Sequence, residues 1–154
     1  MTARYVESPS NYPGPGPAVF LAGGITDCPD WQTDAVNLFE RQGFNGTVLN
    51  PRRAHFPVGD PDATPSQVTW EYRHLRKADA ILFWFPASPS TQPIALFELG
   101  AALERTAPVA VGCDPGYSRR LDVRLQLAHA APSAVLHNTL QATVNATLVS
   151  LPPR

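Results

Sequence analysis

Residues 80–85 read Ala-Ile-Leu-Phe-Trp-Phe, six apolar residues in a row with no polar one among them. A strand with one wet face alternates apolar and polar side chains, whereas a strand covered by helices on both faces shows no alternation. This run therefore calls for the middle of a parallel sheet inside an α/β domain. The flanking sequence supplies the other parts. Short apolar runs at 18–22, 46–50, 108–112 and 133–136 alternate with amphipathic stretches at 30–42, 66–78, 92–106, 118–130 and 139–150. Five strands, each followed by a helix, predict a single doubly wound parallel sheet of order 2-1-3-4-5, and right-handed crossovers put helices on both faces. Ahead of it, Pro9 to Pro17 holds four prolines and two glycines in alternation. That segment withholds ladder hydrogen bonds, so residues 1–17 read as an extended, surface-lying Pro/Gly-rich lead-in and 18–154 as the domain.

A chain of 154 residues is long enough for one core. Its 44% hydrophobic and 16% charged residues are those of a globular protein. A net charge of −1 gives no clustered basic surface for a nucleic-acid polymer or an anionic membrane, so a small molecule is the expected partner. No apolar run is long enough to span a bilayer, and the opening residues lack the apolar core of a signal peptide, so a cytoplasmic location is expected. Cys28 and Cys113 are too few and too far apart for a disulfide framework, and His55, His74, His129 and His137 show no metal-ligand spacing. Neither a metal nor a cofactor is expected.

Open parallel sheets bind ligands beyond the carboxyl ends of their strands, at the point where strand order reverses. The residues that fall there are identifiable. After the first strand come Gly23, Gly24 and Ile25, where glycine dihedrals let backbone amides approach a sugar or phosphate. Asp30 follows as a helix cap and Trp31 as an aromatic that either stacks on a base or packs under the loop. Arg52 and Arg53 follow the second strand and offer one arginine to a phosphate. Beyond the central strand lies Gln92, then Glu98, a carboxylate among apolar neighbours in the first two turns of the next helix. The helix N-terminus is expected to favour an anion there. Glu71, in the helix entering the central strand, is a second candidate carboxylate, because only the early part of that helix reaches the rim. Asp79 lies at the opposite edge and reads as structural.

The segments FLAGGITDCPDWQ, LNPRR, WEYRHLRKADAILFWFP and PIALFELG together resemble the nucleoside 2-deoxyribosyltransferase-like family over about residues 19 to 112. The resemblance implies a flavodoxin-like fold, Glu98 as the nucleophile that attacks the anomeric carbon, and Glu71 as the carboxylate that helps hold the site. It also implies a homo-oligomer in which a neighbouring subunit completes the site. The family's aspartate ahead of the ELG helix is replaced here by Ser90-Thr91-Gln92, so Gln92 is a group able to orient the base but not to protonate it. The expected activity is deoxyribosyl transfer between bases through a covalent glycosyl-Glu98 intermediate. The alternatives are an N-glycosidase acting on a nucleoside or its 5′-monophosphate and a non-catalytic nucleotide-binding module.

Overall fold

The computed structural model describes residues 4–153. In chain order these form β1 (Arg4–Glu7), β2 (Ala18–Gly23), α1 (Trp31–Arg41), β3 (Thr47–Asn50), α2 (Ala63–Lys77), β4 (Ala80–Phe85), α3 (Pro93–Glu104), β5 (Val109–Cys113), α4 (Arg120–Ala130), β6 (Leu136–His137) and α5 (Leu140–Ser150). All the pairings are parallel, in one sheet of order β1-β3-β2-β4-β5-β6. The α/β class and the doubly wound order expected from the sequence are both present, and β4 sits inside the sheet between β2 and β5.

The apolar run at β4 is divided between two cores. Ile81, Phe83 and Phe85 pack on one face with Phe20, Leu49, Trp70, Leu99, Val111, Val123 and Leu127, so α2, α3 and α4 cover that side. Leu82 and Trp84 pack on the other with Val19, Leu21, Trp31, Phe39, Val48 and Val144, beneath α1 and α5. Phe20, Phe83, Phe85, Leu21 and Leu82 are wholly enclosed. Each such side chain contributes roughly 1.5–3 kcal/mol of burial free energy. At the lower edge the Asp79 carboxylate accepts the Ala18 amide at 2.8 Å, a strand-end brace far from the rim.

The sheet has six strands, not five. The additional one, Arg4–Glu7, falls within the segment that reads as lead-in, and it pairs with β3 in the register Tyr5↔Val48. It covers an edge that would otherwise present unpaired backbone groups. The Pro/Gly run that follows is largely exposed, but it is tied down at Tyr12, which is 7% exposed and donates its amide to His74 Nε2 at 3.1 Å. With Nε2 accepting, the His74 Nδ1–H is left to donate to the Trp70 carbonyl at 2.8 Å. Trp70 in turn donates Nε1–H to the Ser10 carbonyl at 2.7 Å, so the N-terminal segment braces α2. At the other edge the strand expected at 133–136 is only Leu136–His137, because the chain is still turning at Ala134, whose amide returns to Ala131.

Candidate active site

Chain order reverses between β2 and β4, and the carboxyl ends of β2, β3 and β4 open there onto a cavity of about 670 Å³. Its floor and rim are Ala22 and Gly23 at the end of β2, Gly24 to Thr26 after it, Pro51, Arg53 and Phe56 after β3, and Ser90 with Gln92 to Ala95 at the start of α3. Its far wall is α2, through Thr64, Gln67, Val68 and Glu71, and Glu98 of α3 closes it. A parallel sheet with a cleft at this point is the geometry in which such folds bind small ligands.

Glu98 and Glu71 both line this cavity and both are half-buried. Burial, and then the charge of Glu71, push the Glu98 carboxyl up to about 8. The first-turn amides expected to favour an anion do not decide its charge. Glu98 lies in the second turn of α3, and the helix-end field fades within the first. Desolvation raises the Glu71 carboxyl above its usual range, and a donated hydrogen bond from Gln67 lowers it. Glu71 is mid-helix, since α2 begins at Ala63, three residues before the expected start. It still lines the cavity, because the cavity runs down the groove between α2 and α3 and is not confined to the strand ends.

Gly23, Gly24 and Ile25 are lining residues, but the glycines serve by their size. A Cβ on Gly23 would stand 2.1 Å from the Trp84 carbonyl oxygen and 2.6 Å from the Trp31 ring. One on Gly24 would stand 2.4 Å from Cys28 Sγ and 2.6 Å from the Gln92 side chain. The Gly24 amide is also committed, donating to Gln92 Oε1 at 3.0 Å. The Gln92 amide is held at both ends, because its Nε2 also donates to the Pro86 carbonyl at 2.8 Å, which fixes the orientation of the side chain. It holds a left-handed backbone, φ 55°, at the start of α3, a conformation that costs a non-glycine residue free energy and persists where its surroundings impose it.

Asp30, Trp31 and Arg52 are not among the cavity's lining residues. Asp30 caps α1, accepting the Thr33 amide at 3.2 Å. Trp31 is 3% exposed and donates Nε1–H to the Gly24 carbonyl at 2.9 Å, so it packs under the loop and offers no face for stacking. The Arg52 guanidinium is spent on the Pro29 and Cys28 carbonyls and on Gln32 Oε1, at 2.8, 3.0 and 3.1 Å, stapling the loop after β2. Adjacent side chains diverge, as expected of the pair, and it is Arg53 that turns to the cavity, its guanidinium 5.3 Å from the Phe56 ring centroid.

Gln67, Phe56 and Val68 are lining residues that the sequence reading passed over. Gln67 and Glu71 stand four residues apart on one helix, the spacing that puts side chains on a common face, and that was the available signal. Cys28 and Cys113 are both buried free thiols. Among the described residues no group of three or more His, Cys, Asp or Glu side chains is placed to hold a metal ion, and no helix is long and apolar enough to cross a membrane.

No match is found among curated proteins. A family model does match, over residues 16–117, and its span takes in β2 through β5 and all of the cavity's lining residues. With more than half of the sequence matched and the expected carboxylates meeting at the switch point of the expected sheet, the chain belongs to the nucleoside 2-deoxyribosyltransferase-like family.

Proposed function

We propose that the protein transfers the sugar of a (deoxy)nucleoside from one base to another, with Glu98 as the nucleophile. The observation that carries this reading is the meeting of Glu98 and Glu71 in a single, largely apolar cavity at the switch point. Cleaving the C1′–N bond builds positive charge on the sugar, and a carboxylate beneath C1′ stabilises that charge and traps it as an ester. The raised Glu98 carboxyl fits the proton balance of such a step. Glu98 enters protonated, its oxygen forms the bond to C1′, the C1′–N bond breaks, and the proton ends on the released base. A second base then attacks C1′, regenerates the Glu98 carboxyl with its own proton, and leaves configuration retained. Glu71, in its ionised form, lends negative charge to the oxocarbenium-like state. No redox change occurs, so the chemistry calls for no cofactor.

A second reading, hydrolysis of a nucleoside 5′-monophosphate, is favoured by one observation: Arg53 is the cationic side chain of the cavity wall and forms no ion pair among the described residues. Incubating the protein with a deoxynucleoside, or its 5′-monophosphate, plus a different free base tests the readings together. A new nucleoside is the expected result; free sugar or sugar phosphate would point to hydrolysis, and neither product, to a binding module. The nucleophile assignment predicts a glycosylated peptide containing Glu98 on mass spectrometry, and full activity in Glu98→Ala would refute it. The proposed setting is the cytoplasm, with nucleosides or nucleotides and free bases as partners. A homo-oligomer is part of the same proposal, and sedimentation velocity reads it directly.

A further inference from the structure

Both amide hydrogens of Gln67 are committed and its orientation is forced. Its Nε2 lies 2.7 Å from the Pro51 carbonyl oxygen and 2.9 Å from Glu71 Oε1, both acceptors, so both amide hydrogens are donated. Its Oε1 accepts the Ser8 hydroxyl at 2.7 Å. Ser8 is 2% exposed and is itself fixed by its amide, which donates to the Asn50 carbonyl at 3.0 Å. The line Ser8–Gln67–Glu71 thus runs from the end of the edge strand β1, past the end of β3, to the carboxylate pair. Gln67 is the side chain that donates to Glu71, and reversing its amide would set an oxygen against both the carbonyl and the carboxylate.

We propose that Gln67 is a positioning residue: anchored by Ser8 and Pro51, it presents Glu71 with a donor and no acceptor, holding Glu71 in its ionised form and leaving the pair's proton to Glu98. An amide N–H stabilises a carboxylate oxygen more than it does the neutral acid, so the anchored donor selects which carboxyl of the pair is charged. The direction agrees with the lowering that Gln67 exerts on Glu71. The ionisable groups lining the cavity among the described residues are Arg53 from the loop after β3, Glu71 from α2 and Glu98 from α3, so no histidine or lysine on the wall competes for this role. The inference rests on the reading of Glu98 as nucleophile for its catalytic consequence, and on geometry alone for the state of Glu71.

Two readouts separate these. Titration of the Glu71 carboxyl carbon by NMR in ¹³C-glutamate-labelled protein, assigned with Glu71→Gln, needs no substrate. In Gln67→Met, which keeps length but donates nothing, the Glu71 midpoint is expected to rise by about one pH unit. Ser8→Ala, which frees the Gln67 oxygen but keeps its donors, is expected to move it by less in the same direction, and serves where Gln67→Met fails to fold. The acidic limb of the kcat profile for base exchange is expected to follow the Glu71 midpoint upward, with KM changed less than kcat. An unmoved Glu71 midpoint in both variants overturns the proposal, as does a uniform fall in kcat with the limb in place, which is what a merely structural role gives. Activity retained in Glu98→Ala refutes the nucleophile while leaving the titration result intact, so the two failures are distinguishable.

Discussion

Replacing Glu98 with glutamine removes a carboxyl that burial and a neighbouring carboxylate push up to about 8, and the expected consequence is a change in how stability depends on pH. In the unfolded chain this carboxyl titrates near its ordinary 4.5, so between 4.5 and about 8 the folded protein keeps a proton that the unfolded chain has released. Stability contributed by that proton is fully present below 4.5 and is lost as pH rises through about 8, because across the window the unfolded state binds fewer protons than the native one. The full slope is about 1.4 kcal/mol per pH unit; discounted by half for water entering an open cavity, roughly 2 kcal/mol remains over the window. For a domain of this size that corresponds to about 4–8 °C in melting temperature. Calorimetry of wild type and Glu98→Gln across about pH 4 to 9 reads it. The wild-type melting temperature is expected to fall relative to the variant by that amount and then to level off. Any hydrogen bond that glutamine gains or loses adds a pH-independent offset and leaves the slope alone. Curves that stay parallel throughout would refute the placement of Glu98 in a water-poor cavity beside a second carboxylate.

Four further outcomes follow from the site. Gly24→Ala, whose new Cβ would meet Cys28 Sγ at 2.4 Å and the Gln92 side chain at 2.6 Å, is expected to cost about 1–3 kcal/mol in denaturant unfolding, and a neutral effect would contradict the packed loop. Arg52→Ala is expected to lower stability by about 1–3 kcal/mol at unchanged KM, since it removes the donor to the Cys28 carbonyl and to Gln32 Oε1 and leaves the Pro29 carbonyl with the Trp31 amide alone. By contrast Arg53→Ala is expected to raise KM by about tenfold for a 5′-monophosphate and little for the nucleoside; equal effects on both substrates would remove the phosphate role. Because the proton that leaves with the base starts on Glu98, kcat/KM is expected to decline as pH rises through about 8, and a rate still climbing there would reverse the assigned protonation state.

The carboxylates and the arginines show where sequence reasoning stops. Glu98 and Glu71 were legible as candidates because each stands at a position that the strand–helix pattern carries to the switch point. Trp31 and Arg52 were equally well placed along the chain, and yet both turn inward to hold the loop after β2. Period and spacing assign a residue to an end of the sheet but do not say which backbone carbonyls compete for its donors. The same limit hid β1, because Arg4–Glu7 carries no apolar run to announce it and becomes a strand only by meeting the edge of β3.

The sequence by itself determined the α/β class, the order of the five strands from β2 to β6 and the central place of residues 80–85, because an unbroken apolar run can be buried only where helices cover both faces. It also determined which end of the sheet would hold the cavity. The tertiary structure decided the rest: that two carboxylates from different helices share one cavity, that Gln67 braces one of them and not the other, and that Glu98 keeps its proton to about 8. Those outcomes depend on distance, desolvation and competition for hydrogen bonds among residues remote in sequence, and such quantities come into being only when the chain is folded.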